Sequence, residues 1–217
     1  MPLAWLARSR CGTPKSSLSA GGLNAGALLV SQRGTPRIWE MITSIALKIP
    51  ISGSDHSHGE EGAALTLLQY GDYQCSYCRL AFDSVKRLQA ELGGSLRFVH
   101  RNFPNAEVHP DAWNAARAAE AAALQGKFWE MHDLLYKNQE KLDLESLRAY
   151  ARQLGLEAAA FERDMNSPEV EERIENDFQG AVASKVSTTP AYFINGFRYE
   201  GYWSYEALAK DLQTARG

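Results

Sequence analysis

Leu65-Thr66-Leu67-Leu68-Gln69-Tyr70-Gly71-Asp72-Tyr73-Gln74-Cys75-Ser76-Tyr77-Cys78 is the stretch whose reading decides the fold. Leu65 to Tyr70 has the apolar run of a short, largely buried strand. Gly71 to Gln74 supplies the turn. From Cys75 the sequence turns helical: Ala81, Val85, Leu88 and Leu92 are spaced four, three and four apart along one face. Gly93-Gly94 stops that helix, and Leu96 to Phe103 predicts a second strand ended by Pro104.

This context makes two cysteines reactive. Residues three apart on a helix are surface neighbours, so the sulfurs of Cys75 and Cys78 reach disulfide distance within the first turn. Free backbone N–H groups and the positive end of the dipole favour a thiolate at Cys75. Cys75 is therefore the expected nucleophile, and Cys78, one turn deeper, the residue that resolves a mixed disulfide. Neither Ser76 nor Tyr77 adds charge, so dipole and backbone N–H groups are expected to dominate the Cys75 pKa, with Arg79 adding to them if it folds back. The alternative is half of a zinc site. Zinc asks for four ligands, usually with a second close pair, and no second C-x-x-C exists. His56 and His58, the only close histidine pair, lie in the polar lead-in from Ser52 to Gly62. The strand–turn–helix setting selects redox chemistry.

Further along, residues 110–183 read as almost wholly helical. Asp111 to Leu124 is Ala-rich, Phe128 to Tyr136 carries an apolar face, and Asp143 caps a helix closed at Gly155. Ala158 to Met165 is a fourth helix, and Ser167-Pro168-Glu169 starts a fifth. Two short strands follow, Ala191 to Ile194 and Phe197 to Glu200, joined by the hairpin dipeptide Asn195-Gly196. Ser204 to Ala215 closes as an amphipathic helix. The fold class is thus α/β: a mixed central sheet, an inserted all-helical block at about 105–185, and the first and last helices covering the faces of the sheet.

The 217 residues carry a net charge of −3, too near zero to indicate a nucleic-acid partner. Residues 1–46 hold five basic side chains and Glu40, a net +4, which leaves −7 for the rest. They show no sustained period and are predicted to be disordered or a mis-assigned extension, with Met41 as an alternative start to Met1. Cys11 has no local partner there. No apolar run reaches the roughly 18 residues a membrane span needs. The run Leu23 to Val30 makes a poor signal peptide, so a cytoplasmic location is expected, with the periplasm as alternative.

At Tyr70-Gly71-Asp72-Tyr73-Gln74-Cys75-Ser76-Tyr77-Cys78 and again at Thr188-Thr189-Pro190-Ala191-Tyr192-Phe193-Ile194-Asn195-Gly196, the sequence resembles the DsbA-like branch of the thioredoxin superfamily. The resemblance covers 47–217 and implies a thioredoxin-like fold. It implies a disulfide oxidoreductase acting on protein thiols and disulfides through the redox-active Cys75–Cys78 pair. No other cofactor is implied, and a separate partner recycles the pair. Pro190 takes the place of the family's cis-proline beside the cysteines, and Thr189 presents backbone groups to an extended substrate. Ser76-Tyr77 departs from the best-known members, which leaves oxidase, reductase and isomerase directions open. The chain is expected to be a monomer. The competing reading is a peptide-binding, chaperone-like module with marginal thiols. A glutathione-using relative acting on small molecules is disfavoured by the intact pair.

Other residues receive structural readings. Asp72 is expected to bond backbone N–H groups of the turn rather than move protons at Cys78. His132 is expected to be a satisfied core histidine, and His100 and His109 are scattered. Trp113, Phe128, Trp129 and Phe161 are expected to pack the helical block, and Glu169, Glu171, Glu172 and Glu175 to form a solvated face.

Overall fold

A computed structural model describes residues 45–216. The possible starts at Met1 and Met41, Cys11 and the Leu23 to Val30 run lie outside the described residues. The chain order is β1 (His56–His58), β2 (Leu65–Gly71), α1 (Ser76–Leu92), β3 (Leu96–Asn102), α2 (Ala112–Ala123), α3 (Phe128–Lys137), α4 (Leu144–Gln153), α5 (Ala158–Met165), α6 (Pro168–Ala183), β4 (Ala191–Ile194), β5 (Phe197–Tyr199) and α7 (Tyr205–Ala215).

Local chemistry sets these boundaries. Gly93 ends α1 at φ +50°, a conformation that costs glycine little. The Asp143 carboxylate accepts the Glu145 and Ser146 N–H groups, and Ser167 Oγ accepts that of Val170 ahead of Pro168. Asn195 and Gly196 both take positive φ, 49° and 84°, as a tight two-residue hairpin demands.

The sheet runs β1-β3-β2-β4-β5. Parallel pairing joins β2 to β3, and antiparallel pairing joins β1 to β3, β2 to β4 and β4 to β5. It is a mixed α/β sheet of thioredoxin-like form. One face buries Leu65, Leu67, Phe98 and Tyr192 against Ala81, Val85 and Leu88 of α1 and Leu208 and Leu212 of α7. The other buries Leu68, Tyr70, Val99 and Phe193 with Ala181 of α6 and Val186. The expectation that the first and last helices take opposite faces is therefore corrected. They share one face, and α6 of the inserted block covers the other. The reason lies in β2, whose residues are apolar on both faces, so both must be covered.

The polar lead-in carries no strand pattern, yet His56–His58 pairs with Phe98–His100 at the sheet edge. The His56 ring stacks on Phe128 at 3.5 Å, and its Nε2 lies 2.7 Å from Glu120 Oε2. Part of the expected solvated glutamate face is also engaged: Glu171 accepts Arg117 Nη2 at 2.6 Å and Trp113 Nε1 at 3.2 Å. Trp129 leans out of the helical block onto Phe98 and His58.

His132 and Tyr136 of α3, His100 of β3 and Tyr73 of the turn form a buried aromatic cluster. His132 shares a 3.1 Å hydrogen bond between Nδ1 and the Tyr73 hydroxyl, as a core histidine should. Burial holds His132 well below the usual histidine range, and burial, reinforced by the charges of His56 and Arg173, holds His100 at about 3. Both bind protons more weakly folded than unfolded, so stability is lost as pH falls below about 6.5. Asp177 acts in the opposite sense: burial raises it to about 6, so its contribution is present at low pH and lost as pH rises through 6. In the disulfide form, where Cys75 carries no titrating thiol, two histidines stand against one carboxyl, and denaturant midpoints should fall between pH 6.5 and 4, by up to about 1.4 kcal/mol per pH unit for one net proton. His100→Leu should flatten the slope. A midpoint that holds steady or rises on acidification would contradict this.

Candidate active site

Cys75 is the residue immediately before α1, in extended conformation at φ −73° and ψ 119°. Its sulfur therefore sits where the first-turn N–H groups are free. Three clamps hold the turn. Cys75 N donates to Asp72 O, Gln139 Nε2 donates to both Tyr73 O (2.7 Å) and Cys75 O (2.9 Å), and the Gln74 amide is paired with Asp111 through two bonds. Gln139 and Asp111 stand 64 and 37 residues from their partners, with no local sequence signal for the contact. Cys75 is 5% exposed, and Cys78, 0% exposed, is packed with Phe82 and Tyr136.

The Cys75 thiol is lowered to about 5. The largest cause is the hydrogen bond from the Cys78 thiol, followed by Thr189 and the backbone N–H groups of Cys78 and Tyr77 acting against partial burial. Backbone N–H groups of the first turn act on the Cys75 sulfur as expected, and the Cys78 thiol, a partner absent from that expectation, adds its own hydrogen bond. Arg79 does not turn back to the sulfur but pairs with Asp83 at 2.9 Å. Cys78 is pushed well above its usual value, first by burial and then by the bond to Cys75 and its charge. The two sulfurs thus divide into one that favours the thiolate and a neighbour that keeps its proton. The pH dependence of iodoacetamide alkylation should show a midpoint near 5, and Cys78→Ala should raise it. An unshifted midpoint in that variant would refute the ordering of causes.

The Thr189–Pro190 bond is cis, and the structure brings it beside the pair: the Cys75 sulfur lies 3.4 Å from Thr189 O. Cys75, Thr189, Ser187, Phe103, Asn105 and His109 line a groove of about 280 Å³. Tyr77, also part of the groove wall, is exposed, and its ring meets Trp203 at 5.8 Å; Leu80 of α1 and Tyr202 are exposed as well. Asp72 takes the expected turn role. Its Oδ1 accepts Gln74 N at 2.7 Å and its Oδ2 accepts Asn105 N at 2.9 Å. It also binds His109 Nδ1 at 2.8 Å, so His109, read from sequence as merely scattered, is at the groove. Among the described residues no three His, Cys, Asp or Glu side chains gather around a common metal position.

Residues 52–214 match the sequence family described as Thioredoxin. A sodium/proton antiporter (NhaA 1) of Mycolicibacterium gilvum is 38% identical over 165 residues, 75% of this chain but 27% of that protein. The chain spans about a quarter of the length of the curated relatives it matches. Among solved structures, a thioredoxin-like oxidoreductase from Silicibacter pomeroyi superposes with TM-score 0.68 at 28% identity, over 76% of this chain and 94% of that one. The Wolbachia pipientis protein alpha-DsbA1 superposes with TM-score 0.69 at 19% identity, over 79% and 94%.

Proposed function

We propose, from the premise that this chain belongs to the thioredoxin family and has a DsbA-like thioredoxin fold, that it exchanges disulfides with protein substrates through Cys75 and Cys78. One observation carries the reading: a thiolate-favouring Cys75 at a helix start, with a buried protonated Cys78 one turn deeper. In the reducing direction the Cys75 thiolate attacks a substrate disulfide, forms a mixed disulfide and releases one substrate thiol. The negative charge that held the Cys78 proton in place is then gone. Cys78 ionises more readily, attacks Cys75, and leaves with it as a disulfide while the second substrate thiol departs. The oxidising direction is the same sequence reversed.

The low Cys75 pKa supports the oxidising direction, because a stable thiolate is a good leaving group and stabilises the reduced pair. The reduction potential of the couple, measured against glutathione, is expected to be more oxidising than about −200 mV. The reduced form is then recycled by a separate partner. A value near that of a dedicated reductant, about −270 mV, would reverse the proposed direction without touching the exchange chemistry. Thr189 and the cis-proline flank the groove where an extended peptide would run, and the exposed Tyr77, Leu80 and Tyr202 offer apolar contact for unfolded clients. A client-holding module is the second reading favoured by those exposed apolar side chains. It requires aggregation suppression to survive in the double Cys→Ser protein. The antiport named for the curated relatives is not carried over, since only about a quarter of their length is matched. No helix among the described residues is long and apolar enough to cross a membrane.

A further inference from the structure

Disulfide exchange leaves a proton to be placed on a sulfur other than those of Cys75 and Cys78. When the Cys75 thiolate attacks a substrate disulfide, the distal substrate sulfur departs as a thiolate, a poor leaving group when its thiol pKa is near the ordinary cysteine value of about 8.5. A proton donor in the same groove as Cys75 relieves that cost.

We propose that His109, held by Asp72, is the acid–base residue for this distal substrate sulfur; the inference rests on the oxidoreductase reading above. His109 shares the groove wall with Cys75 and Thr189. Its side chain is 25% exposed, so it is reachable from the groove, whereas the Asp72 side chain is 0% exposed. The carboxylate already accepts two backbone N–H groups, from Gln74 and Asn105. Its oxygens are acceptors, so the 2.8 Å contact fixes the proton on Nδ1 and leaves Nε2 as the second ring nitrogen. A buried carboxylate that orients an imidazole while the other ring nitrogen serves a reacting sulfur is the arrangement that general acid–base chemistry requires.

The step balances. Cys75 thiolate, a substrate disulfide and a His109 imidazolium give the Cys75 mixed disulfide, one free substrate thiol and neutral His109. The substrate S–S bond breaks, the Cys75–substrate S–S bond forms, and the proton moves from Nε2 to the departing sulfur. In reverse, neutral His109 takes the proton of a second substrate thiol, which then attacks the mixed disulfide and releases the Cys75 thiolate. No additional oxidant is needed.

The test exploits leaving groups. Reduced wild-type protein and His109→Asn are mixed, in stopped flow, with glutathione disulfide and with 5,5′-dithiobis(2-nitrobenzoate). The asparagine amide keeps a donor for Asp72 but removes Nε2. The aromatic thiolate leaves without a proton; the glutathione thiolate does not leave easily. Exchange with glutathione disulfide should fall about tenfold in His109→Asn, exchange with the aromatic disulfide should change less than about twofold, and iodoacetamide alkylation of Cys75 should be unchanged. Equal losses on both disulfides, or no loss on either, overturn the proposal, and a matching loss in alkylation assigns His109 to positioning Cys75 instead. Wild-type protein that exchanges with neither disulfide removes the oxidoreductase reading itself, an outcome separate from any effect of the substitution. His109→Gln, which has different reach to Asp72, repeats the comparison should the asparagine variant unfold.

Discussion

Cys75→Ser protein is expected to lose insulin-disulfide reduction and oxidative refolding of a reduced protein by at least about a thousandfold, with an unchanged fold. A serine hydroxyl is not ionised at neutral pH, so the attacking species disappears, while the packing around a side chain of nearly the same size stays. Cys78→Ser should behave differently. Its hydroxyl can still donate to the Cys75 sulfur, the largest cause of the lowered Cys75 pKa, so the first attack persists. What fails is resolution: the mixed disulfide with substrate should accumulate and be visible on a non-reducing gel or by intact mass. Full activity in Cys75→Ser would sink the proposed function. Equal amounts of trapped intermediate in wild type and Cys78→Ser would sink the division of labour between the two sulfurs.

The second large effect concerns stability. Arg101→Met is expected to cost about 3–5 kcal/mol, a fall in Tm of roughly 10 °C. Arg101 is almost wholly buried and spends its donors on five acceptors. These are Asp55 Oδ1 at 2.7 Å and Oδ2 at 3.0 Å, Ile49 O at 2.9 Å, Pro50 O at 3.0 Å and the Tyr70 hydroxyl at 3.1 Å. It therefore pins the segment before β1 to the sheet. Burial alone would push the Asp55 carboxyl up, but the bonds from Arg101 and Ser52 N and the charges of Arg101 and Arg173 hold it below its usual range. Removing Arg101 strands that carboxylate in the interior, with the Ser52 N–H at 2.8 Å and Arg173 at 3.8 Å as its remaining partners among the described residues. The double variant Arg101→Met/Asp55→Leu should recover part of the loss, because no unpaired charge remains. Chemical denaturation of all three proteins decides the matter: a loss below about 1 kcal/mol for Arg101→Met would mean that the pair behaves as a surface bridge.

The parts of the fold that were legible share a short range. The start of α1 at the cysteines, the Asp143 and Ser167 caps, the Gly93 stop and the Asn195-Gly196 hairpin depend on residues within a few positions of one another. The Cys75–Cys78 pair falls in this class, since helix geometry alone sets its spacing. The neighbouring Thr189 and Pro190, 114 and more residues away, entered only through the family resemblance. The edge strand at His56–His58 was hidden because its polar residues carry no alternating apolar pattern; its partner, not its composition, makes it a strand.

Asp72 shows where the boundary falls. Its turn role follows from its position two residues before Gln74, but its bond to His109 spans 37 residues and joins a loop to the groove. The sequence by itself determined every described α-helix, the four strands other than β1, the reactive pair and the helical block between two halves of a sheet, because propensity, capping and periodicity act locally. Only the tertiary structure decided that α6 covers the second face, that Arg101 answers Asp55, that Thr189 meets the Cys75 sulfur and that His109 stands in the groove. Those outcomes come from burial: apolar faces must be covered, and most desolvated polar groups find a partner wherever the packed chain supplies one, the His100 ring nitrogens and the Tyr136 hydroxyl being exceptions.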